Sequence, residues 1–308
     1  MRVLSLFDGI SSAHVALNRL GIPVEKYYAS EIDKYAITVT QANYPDTVQL
    51  GDVRNIDTSL FEEAEIGLMC FGSPCQSFSF AGKRAGMSTT DNVLVTSLEQ
   101  YLDLKGQGGE FQGQSYLFWE AVRILRDIRP RYFLMENVVM KKEWEQVITE
   151  ALGVQPIRID SALTGAAVRK RLYWTNIPAV TEPTDRGITF GDIREHGVPI
   201  ESGMYYTERG MDWIRRHEIR TGKHLRLIGD DEKMQMLEAS MHKKYSSQRF
   251  FGIEDTYGIR YITPLECERC MDIPDGYTSM VSNTQRYKEL GNGWCVSTIE
   301  HIFSKMVH

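Results

Sequence analysis

Residues 3–21 read VLSLFDGISSAHVALNRLG, and the turn in the middle of that stretch decides the fold. Residues 3–7 are a short apolar run suited to a buried strand. Residues 12–20 carry Val15, Ala16, Leu17 and Leu20 at helical spacing, and Gly21 ends the helix. Strand, Asp8-Gly9 turn and helix thus follow one another directly. The same alternation continues outward. Residues 27–30 read as a second strand, 34–43 as a helix stopped before Pro45, 48–50 as a third strand and 66–71 as a fourth. The stretch 72–113, rich in Gly, Ser and Thr, reads as irregular. A helix over 115–128, a strand over 132–135, a helix over 144–152 and strands over 155–159 and 172–176 follow. Strands separated by helices of this length mean βαβ units and a mostly parallel sheet, hence an α/β fold. In such sheets ligands lie across the carboxyl ends of the strands.

After Pro178 the rhythm breaks at Pro183, Gly187, Gly191, Gly197 and Pro199, and regular apolar patterning returns near Tyr261. A last helix is expected over 296–306. The domains are therefore read as 1–177, a region 178–258, and a segment 259–308 that returns to the first. A chain of 308 residues has room for one large domain and a smaller one. Hydrophobic content of 42% and charged content of 25% are those of a globular protein, and no apolar run reaches membrane-spanning length. The apolar start is interrupted at Asp8, too early for a signal peptide, so a cytoplasmic protein is expected. The odd count of 5 cysteines argues against a disulfide framework. Cys267 and Cys270 have CxxC spacing, but without a second ligand pair no metal site is expected. The net charge is −6, yet residues 205–250 hold 10 Lys and Arg against 7 Asp and Glu, with His217, His224 and His242 besides. Local charge, rather than the total, governs contact with nucleic acid.

The chemistry-bearing residues stand where the sheet predicts. Asp8-Gly9 follows the first strand, where glycine lets a ligand approach backbone amides and a helix N-terminus. Glu31 follows the second, placed to accept ribose hydroxyls. Asp52 follows the third, placed to receive an exocyclic amine. Together these acids suit an adenosine ligand. Gly72-Ser73-Pro74-Cys75-Gln76 follows the fourth strand, and the proline fixes the backbone that presents the Cys75 thiol. Cys70, inside the apolar strand, fits an inert buried thiol better. Glu136-Asn137-Val138 follows the strand 132–135, and an acid there needs a partner or a ligand. Arg169-Lys170-Arg171 precedes the strand 172–176 and suits a phosphate or a catalytic loop.

The ordered series FDG, Glu31, GD, GSPCQ, LFWE, ENV, RKR and GNGWCV resembles the motif series of the DNA cytosine-5 methyltransferases. The resemblance covers the chain except for about 178–258. In SLFDGI, ASEI, GDVR, GSPC, ENVV and AAVRKRLYW it is most similar to the vertebrate de novo branch, in a compact form that suggests a bacterial or phage enzyme. It implies a Rossmann-like S-adenosylmethionine-dependent methyltransferase fold with a smaller target-recognition region. Carried over by position, it implies that Phe7, Asp8, Gly9 and Ile10 hold the methionine and ribose of S-adenosylmethionine. Glu31 then takes the ribose hydroxyls and Ile32 lies against the adenine. Asp52 binds the adenine amino group beside Val53, and Ser73 and Pro74 line the donor side. Leu117 lies in a helix packed on the cofactor, and Asn292, Gly293, Trp294 and Val296 close the site. Departures are Ser11 where the family has a second glycine, Ala167-Val168 where it has a glutamine, and a longer stretch over 83–113.

The resemblance further implies that Cys75 adds to C6 of a flipped-out cytosine, that Glu136 contacts N3 and the amino group, and that Arg171, supported by Arg169, positions the base or a loop spanning Gln76 to Gly86. No step calls for a metal. The partner is double-stranded DNA, contacted by the basic middle segment, where Arg215, Arg216, Arg220, Lys223, Arg226, Lys243, Lys244 and Arg249 are available. Self-association into a homo-oligomer is left open, as are three alternatives. An RNA cytosine-5 methyltransferase acting on tRNA carries a Cys-Phe-Thr signature that is missing here. A catalytically silent DNA-binding homologue loses the Pro-Cys or Glu-Asn-Val residues, and both are present. An NAD-dependent oxidoreductase needs GxGxxG in the first turn, which is lacking.

Overall fold

Val3, Leu4 and Leu6 are almost fully buried in the first strand, and a strand enclosed on both faces belongs in the middle of a sheet. In the computed structural model, which describes residues 1–61, 65–74, 87–196, 200–246 and 251–306, that is where it lies. The strands are β1 (Arg2–Leu6), β2 (Lys26–Ser30), β3 (Val48–Gln49), β4 (Leu68–Phe71), β5 (Tyr132–Val138), β6 (Ile157–Asp160) and β7 (Lys170–Thr175), in the order β3-β2-β1-β4-β5-β7-β6. β1 runs parallel to β2 and β4, and β4 parallel to β5. The connection order reverses between β1 and β4. That switch point opens a crevice at the carboxyl ends of the strands. β7 is antiparallel to β5, a direction that apolar periodicity does not encode.

The helices α1 (Ser12–Arg19), α2 (Lys34–Asn43), α3 (Leu98–Gly106), α4 (Leu117–Ile128) and α5 (Lys142–Leu152) interleave with these strands. The Asp33 carboxylate caps α2 by accepting from the Tyr35 amide at 2.9 Å. α4 buries Phe118, Trp119, Ala121, Val122, Ile124 and Ile128 along one stripe. Three expectations change, the plainest being that β7 begins at Lys170, so that Lys170 and Arg171 lie within the strand they were expected to precede. The stretch 72–113 is not all irregular, since it contains α3, whose Ser97 cap accepts from the Gln100 amide at 3.1 Å. Only Leu98 and Tyr101 of α3 are buried, so its apolar stripe is too thin to show in the sequence. A buried acid anchors it instead. Glu120 of α4 accepts from Tyr101 Oη and Lys105 Nζ, each at 2.5 Å, and from Arg123 Nε at 2.9 Å. Burial alone would raise the Glu120 carboxyl, but these three donors outweigh it and hold it below its ordinary value. Third, β5 continues through Glu136 and Asn137 to Val138, so those residues lie within the strand rather than after it.

Two compact units divide the chain. The first comprises Met1–Ile159, Lys170–Glu182 and Glu300–His308, and the second Asp160–Arg169 and Pro183–Ile299. The second contains a small sheet, β10-β9-β8, of β8 (Arg226–Leu227), β9 (Phe251–Asp255) and β10 (Gly258–Arg260). Its helices are α6 (Glu208–Thr221), α7 (Pro264–Cys270) and α8 (Asn283–Asn292), while α9 (Val296–Phe303) crosses the division. Arg260 is fully buried there, forked onto both Glu266 oxygens at 2.8 and 2.7 Å and bonded to Asp255 at 3.0 Å. Glu266 also closes a capping box with Thr263 at the start of α7. Cys267 and Cys270 are buried free thiols on that helix. Among the described residues no helix is long and apolar enough to cross a membrane, and no cluster of metal-ligating side chains is found.

Candidate active site

The turn after β1 is held in a conformation that few side chains adopt. Phe7, Gly9 and Ser11 have φ of 55°, 59° and 58°. For Phe7 and Ser11 this costs about 1 kcal/mol or more each. A Cβ built at Gly9 meets nothing within 4 Å, so its backbone faces open space. Glu31 ties this turn to the end of β2. Its Oε2 accepts from the Gly9 amide at 2.9 Å, and its Oε1 from the Ile32 and Asp33 amides at 2.7 and 2.8 Å. Ile32 beside it is 66% exposed, an apolar surface at the mouth of the crevice.

Asp8 faces the other way. Its carboxylate accepts from Tyr27 Oη at 2.7 Å and from the Ser11 hydroxyl. Tyr27 stacks on His14, whose other face lies on Tyr44 with centroids 3.8 Å apart. Burial pushes the Asp8 carboxyl up to about 6 against the opposing hydrogen bonds, and pushes the His14 imidazole down to about 4. A raised acid favours its neutral form in the folded state. The stability Asp8 contributes is therefore full below about pH 4 and lost as pH rises through about 6. Between pH 4 and 7.5 the wild type should lose on the order of 2 kcal/mol relative to Asp8→Asn, read from urea midpoints. Parallel pH curves for the two proteins would show that Asp8 does not titrate in this range.

Asp52, past the end of β3, is engaged within its own turn. It accepts from the Arg54 amide at 2.9 Å and from Arg54 Nε at 3.0 Å, and the Arg54 side-chain bond holds its carboxyl below the ordinary value. Val53 next to it is buried. At the end of β4, Ser73 is buried, and its carbonyl and hydroxyl oxygens accept from Asn137 Nδ2 at 3.3 Å each. The Pro74 carbonyl accepts from Ser115 Oγ at 2.9 Å. The backbone leading to residue 75 is thus pinned from two elements. Cys75 itself and the loop expected from Gln76 to Gly86 lie outside the described residues. Leu117, at the start of α4, is partly buried against the core beneath the sheet.

Glu136 stands in β5 opposite Tyr173, with Val138 opposite Arg171. Directly opposed and alternate residues share a face, so Arg171 reaches Glu136 diagonally. Its Nε lies 2.7 Å from Glu136 Oε1, with both side chains about a tenth exposed, at 10% and 11%. The neighbouring Asn137 points to the opposite face and makes the Ser73 bonds. One dipeptide therefore places a buried carboxylate and fixes the loop before residue 75.

Arg169 belongs to the second unit and is buried there. Its guanidinium donates to the Gly291 carbonyl at 3.3 Å and the Gly293 carbonyl at 2.7 Å, closing the carboxyl end of α8. It thereby holds the turn that carries exposed Asn292, half-buried Trp294 and buried Val296. Of the residues that hold the site, sequence reasoning gave no role to Asn137, Ser115, Tyr27 or Arg54. Asn137 and Arg54 stood inside quoted motifs, whereas Ser115 and Tyr27 carried no signal.

The chain is similar along its whole length to known proteins. It is 26% identical to the type II methyltransferase M.HpaII of Haemophilus parainfluenzae, over 99% of this chain and 88% of that one. It is likewise 26% identical to the type II methyltransferase M.NlaX of Neisseria lactamica, over 99% and 96%. Its fold matches that of a DNMT2 variant of Spodoptera frugiperda with a TM-score of 0.72 at 19% identity, over 99% of this chain and 98% of that one. The profile of the C-5 cytosine-specific DNA methylases matches residues 1–106, 104–149 and 181–308. A mostly parallel sheet with a glycine turn, three acids and a pinned Ser-Pro loop at its carboxyl edge accompanies that match, and the chain belongs to the C-5 cytosine-specific DNA methylase family.

Proposed function

We propose that the protein methylates C5 of cytosine in duplex DNA through a covalent adduct at Cys75, with S-adenosylmethionine as donor. The observation that carries this reading is the Glu136-Asn137 pair, which sets a buried, Arg171-bound carboxylate beside the residue that pins the Ser73-Pro74 backbone. The first turn fits the adenosyl group of the donor. Gly9 leaves room against its backbone, Glu31 beside it is assigned to the ribose hydroxyls, and exposed Ile32 offers an apolar face for a ring. Asp52, whose two oxygens already accept from Arg54, keeps lone pairs that can also accept from an exocyclic amine. Asn292, Trp294 and Val296 are assigned to the same cofactor on the family pattern alone.

When bound, S-adenosylmethionine supplies an electrophilic methyl group on a sulfonium sulfur. Cytosine C5 is too weak a nucleophile to use it unaided. The Cys75 thiolate forms a bond to C6, and the electron pair of the C5–C6 double bond moves toward C5 and the ring nitrogen. Glu136 offsets the negative charge that develops at N3 by bringing a proton: its O–H donates to N3 while its other oxygen accepts from the amino group, and the proton returns to Glu136 when the thiolate leaves. Arg171 holds the Glu136 carboxylate in place across the sheet. After C5 is methylated, the C5 proton passes to a base and the thiolate leaves, restoring the aromatic ring. The target atom is unreachable inside a duplex, so the base must be flipped out.

Bisulfite sequencing of plasmid DNA from an expressing host should reveal methylcytosine at a recurring sequence. Labelled transfer with purified protein should favour plasmid DNA over tRNA. Label entering tRNA and not DNA would replace the proposed substrate by RNA.

A further inference from the structure

The geometry points to one face of α6 as a phosphate-tracking surface for duplex DNA. This rests on the DNA reading above and deepens it by naming the surface. Arg209, Trp213, Arg216 and Arg220 lie at spacings of four, three and four residues. At 100° per residue they fall within an arc of roughly 60° along the helix. All four are exposed, while Gly210 and Ile214 on the other side are buried. The stripe runs ~16 Å along the axis, with Arg216 and Arg220 ~6 Å apart.

The structure sorts the basic residues of this region. Arg215 is ion-paired with Asp212, and Arg226 with Glu232 at 2.6 Å. The side chains of Lys244 and Arg249 lie outside the described residues. Among the described residues, no carboxylate pairs with Arg209, Arg216 or Arg220. Arg216 Nε bonds the Asp212 carbonyl at 3.3 Å, and Arg220 lies 3.3 Å from His217 Nδ1. His217 in turn stacks under Trp213, with centroids 4.9 Å apart. Three guanidinium groups without counter-charge on one edge of a helix, in a chain of net charge −6, call for a regular polyanion. Guanidinium forks match phosphate oxygens, and an α-helix fits the width of the major groove. Arg209, which charge counting alone does not single out, is part of this surface, and Arg215 is not.

The test measures binding of a labelled duplex of arbitrary sequence against salt concentration. The triple variant Arg209→Gln, Arg216→Gln, Arg220→Gln should lower the slope of log K against log salt by about 2.7. Its loss of affinity between 50 and 200 mM salt should then be smaller than that of wild type by about 40-fold. Arg215→Gln should leave the slope unchanged. The corresponding triple lysine variant should restore it, because phosphates accept any cation while base edges demand the fork. An unchanged slope in the glutamine triple, with wild type binding the duplex, overturns the stripe and leaves the DNA reading standing. Failure of the lysine triple to restore the slope overturns the assignment to phosphates. A wild type that ignores duplex DNA but binds a stem-loop RNA overturns both. Circular dichroism and melting curves matching wild type establish that the variants are folded.

Discussion

A Cys75→Ala protein is expected to bind S-adenosylmethionine as wild type does and to transfer methyl groups roughly 10⁴-fold more slowly or worse. The size of the effect follows from the chemistry. Without the bond to C6, C5 is part of an electron-poor aromatic ring, and no hydrogen bond to N3 compensates for that. The other four cysteines offer no substitute. Cys70, Cys267, Cys270 and Cys295 are all buried. Burial pushes each thiol above its ordinary value, and the Asp8 charge adds to the effect at Cys70. A thiol so held supplies almost no thiolate near neutrality. DNA containing 5-fluorocytosine should trap a covalent complex with wild type and with Cys70→Ala, and none with Cys75→Ala. A complex that survives loss of Cys75 but not of Cys70 would sink the assignment.

The second large effect concerns the pair Glu136 and Arg171. Glu136→Gln keeps the shape and an oxygen for Arg171, so the fold should persist while the rate drops ~10²–10⁴-fold. Arg171→Met removes the cation and leaves the carboxylate enclosed without its partner. That should cost roughly 3 kcal/mol of stability, since stranding one member of a buried pair is worse than losing both. Glu136→Gln combined with Arg171→Met should recover part of that loss. Urea midpoints give the stabilities, and labelled transfer to plasmid DNA gives the rates. Equal stability for wild type and Arg171→Met would mean that water reaches the pair in solution.

β1 and β4 were legible because buried parallel strands are continuous apolar runs, and the first two helices because their ends are marked by glycine and proline, whereas β3 is only the half-buried Val48 and Gln49 and was marked by its place between α2 and Gly51. α3 was hidden because a single acid, Glu120, does the anchoring that an apolar stripe does elsewhere. The carboxyl half of β5 was hidden because Glu136 and Asn137 are polar, and polarity reads as loop. In the site, the acids at strand ends were visible, since position along the chain reveals them. Their partners were not. Asp8 is bound by Tyr27 of the next strand and Glu136 by Arg171 of a strand 35 residues later, and such pairings exist only once the sheet has formed. Arg169 read as a phosphate or catalytic-loop contact. Its placement on the Gly291 and Gly293 carbonyls depends on a helix end far along the chain.

The division of the chain bears on how it is made. The first unit takes its last piece from Glu300–His308, where Ile302 and Phe303 are fully buried and Glu300 and His301 bond Arg19 and the Thr181 carbonyl. Its preceding piece ends at Glu182. On a ribosome adding ~5–20 residues per second, about 6–24 s separate the two. Throughout that interval the apolar surface of the first unit that Ile302 and Phe303 cover stands exposed. Nascent chains should therefore depend on holding chaperones, and truncation before residue 300 should send the large unit, rather than the small one, into aggregates.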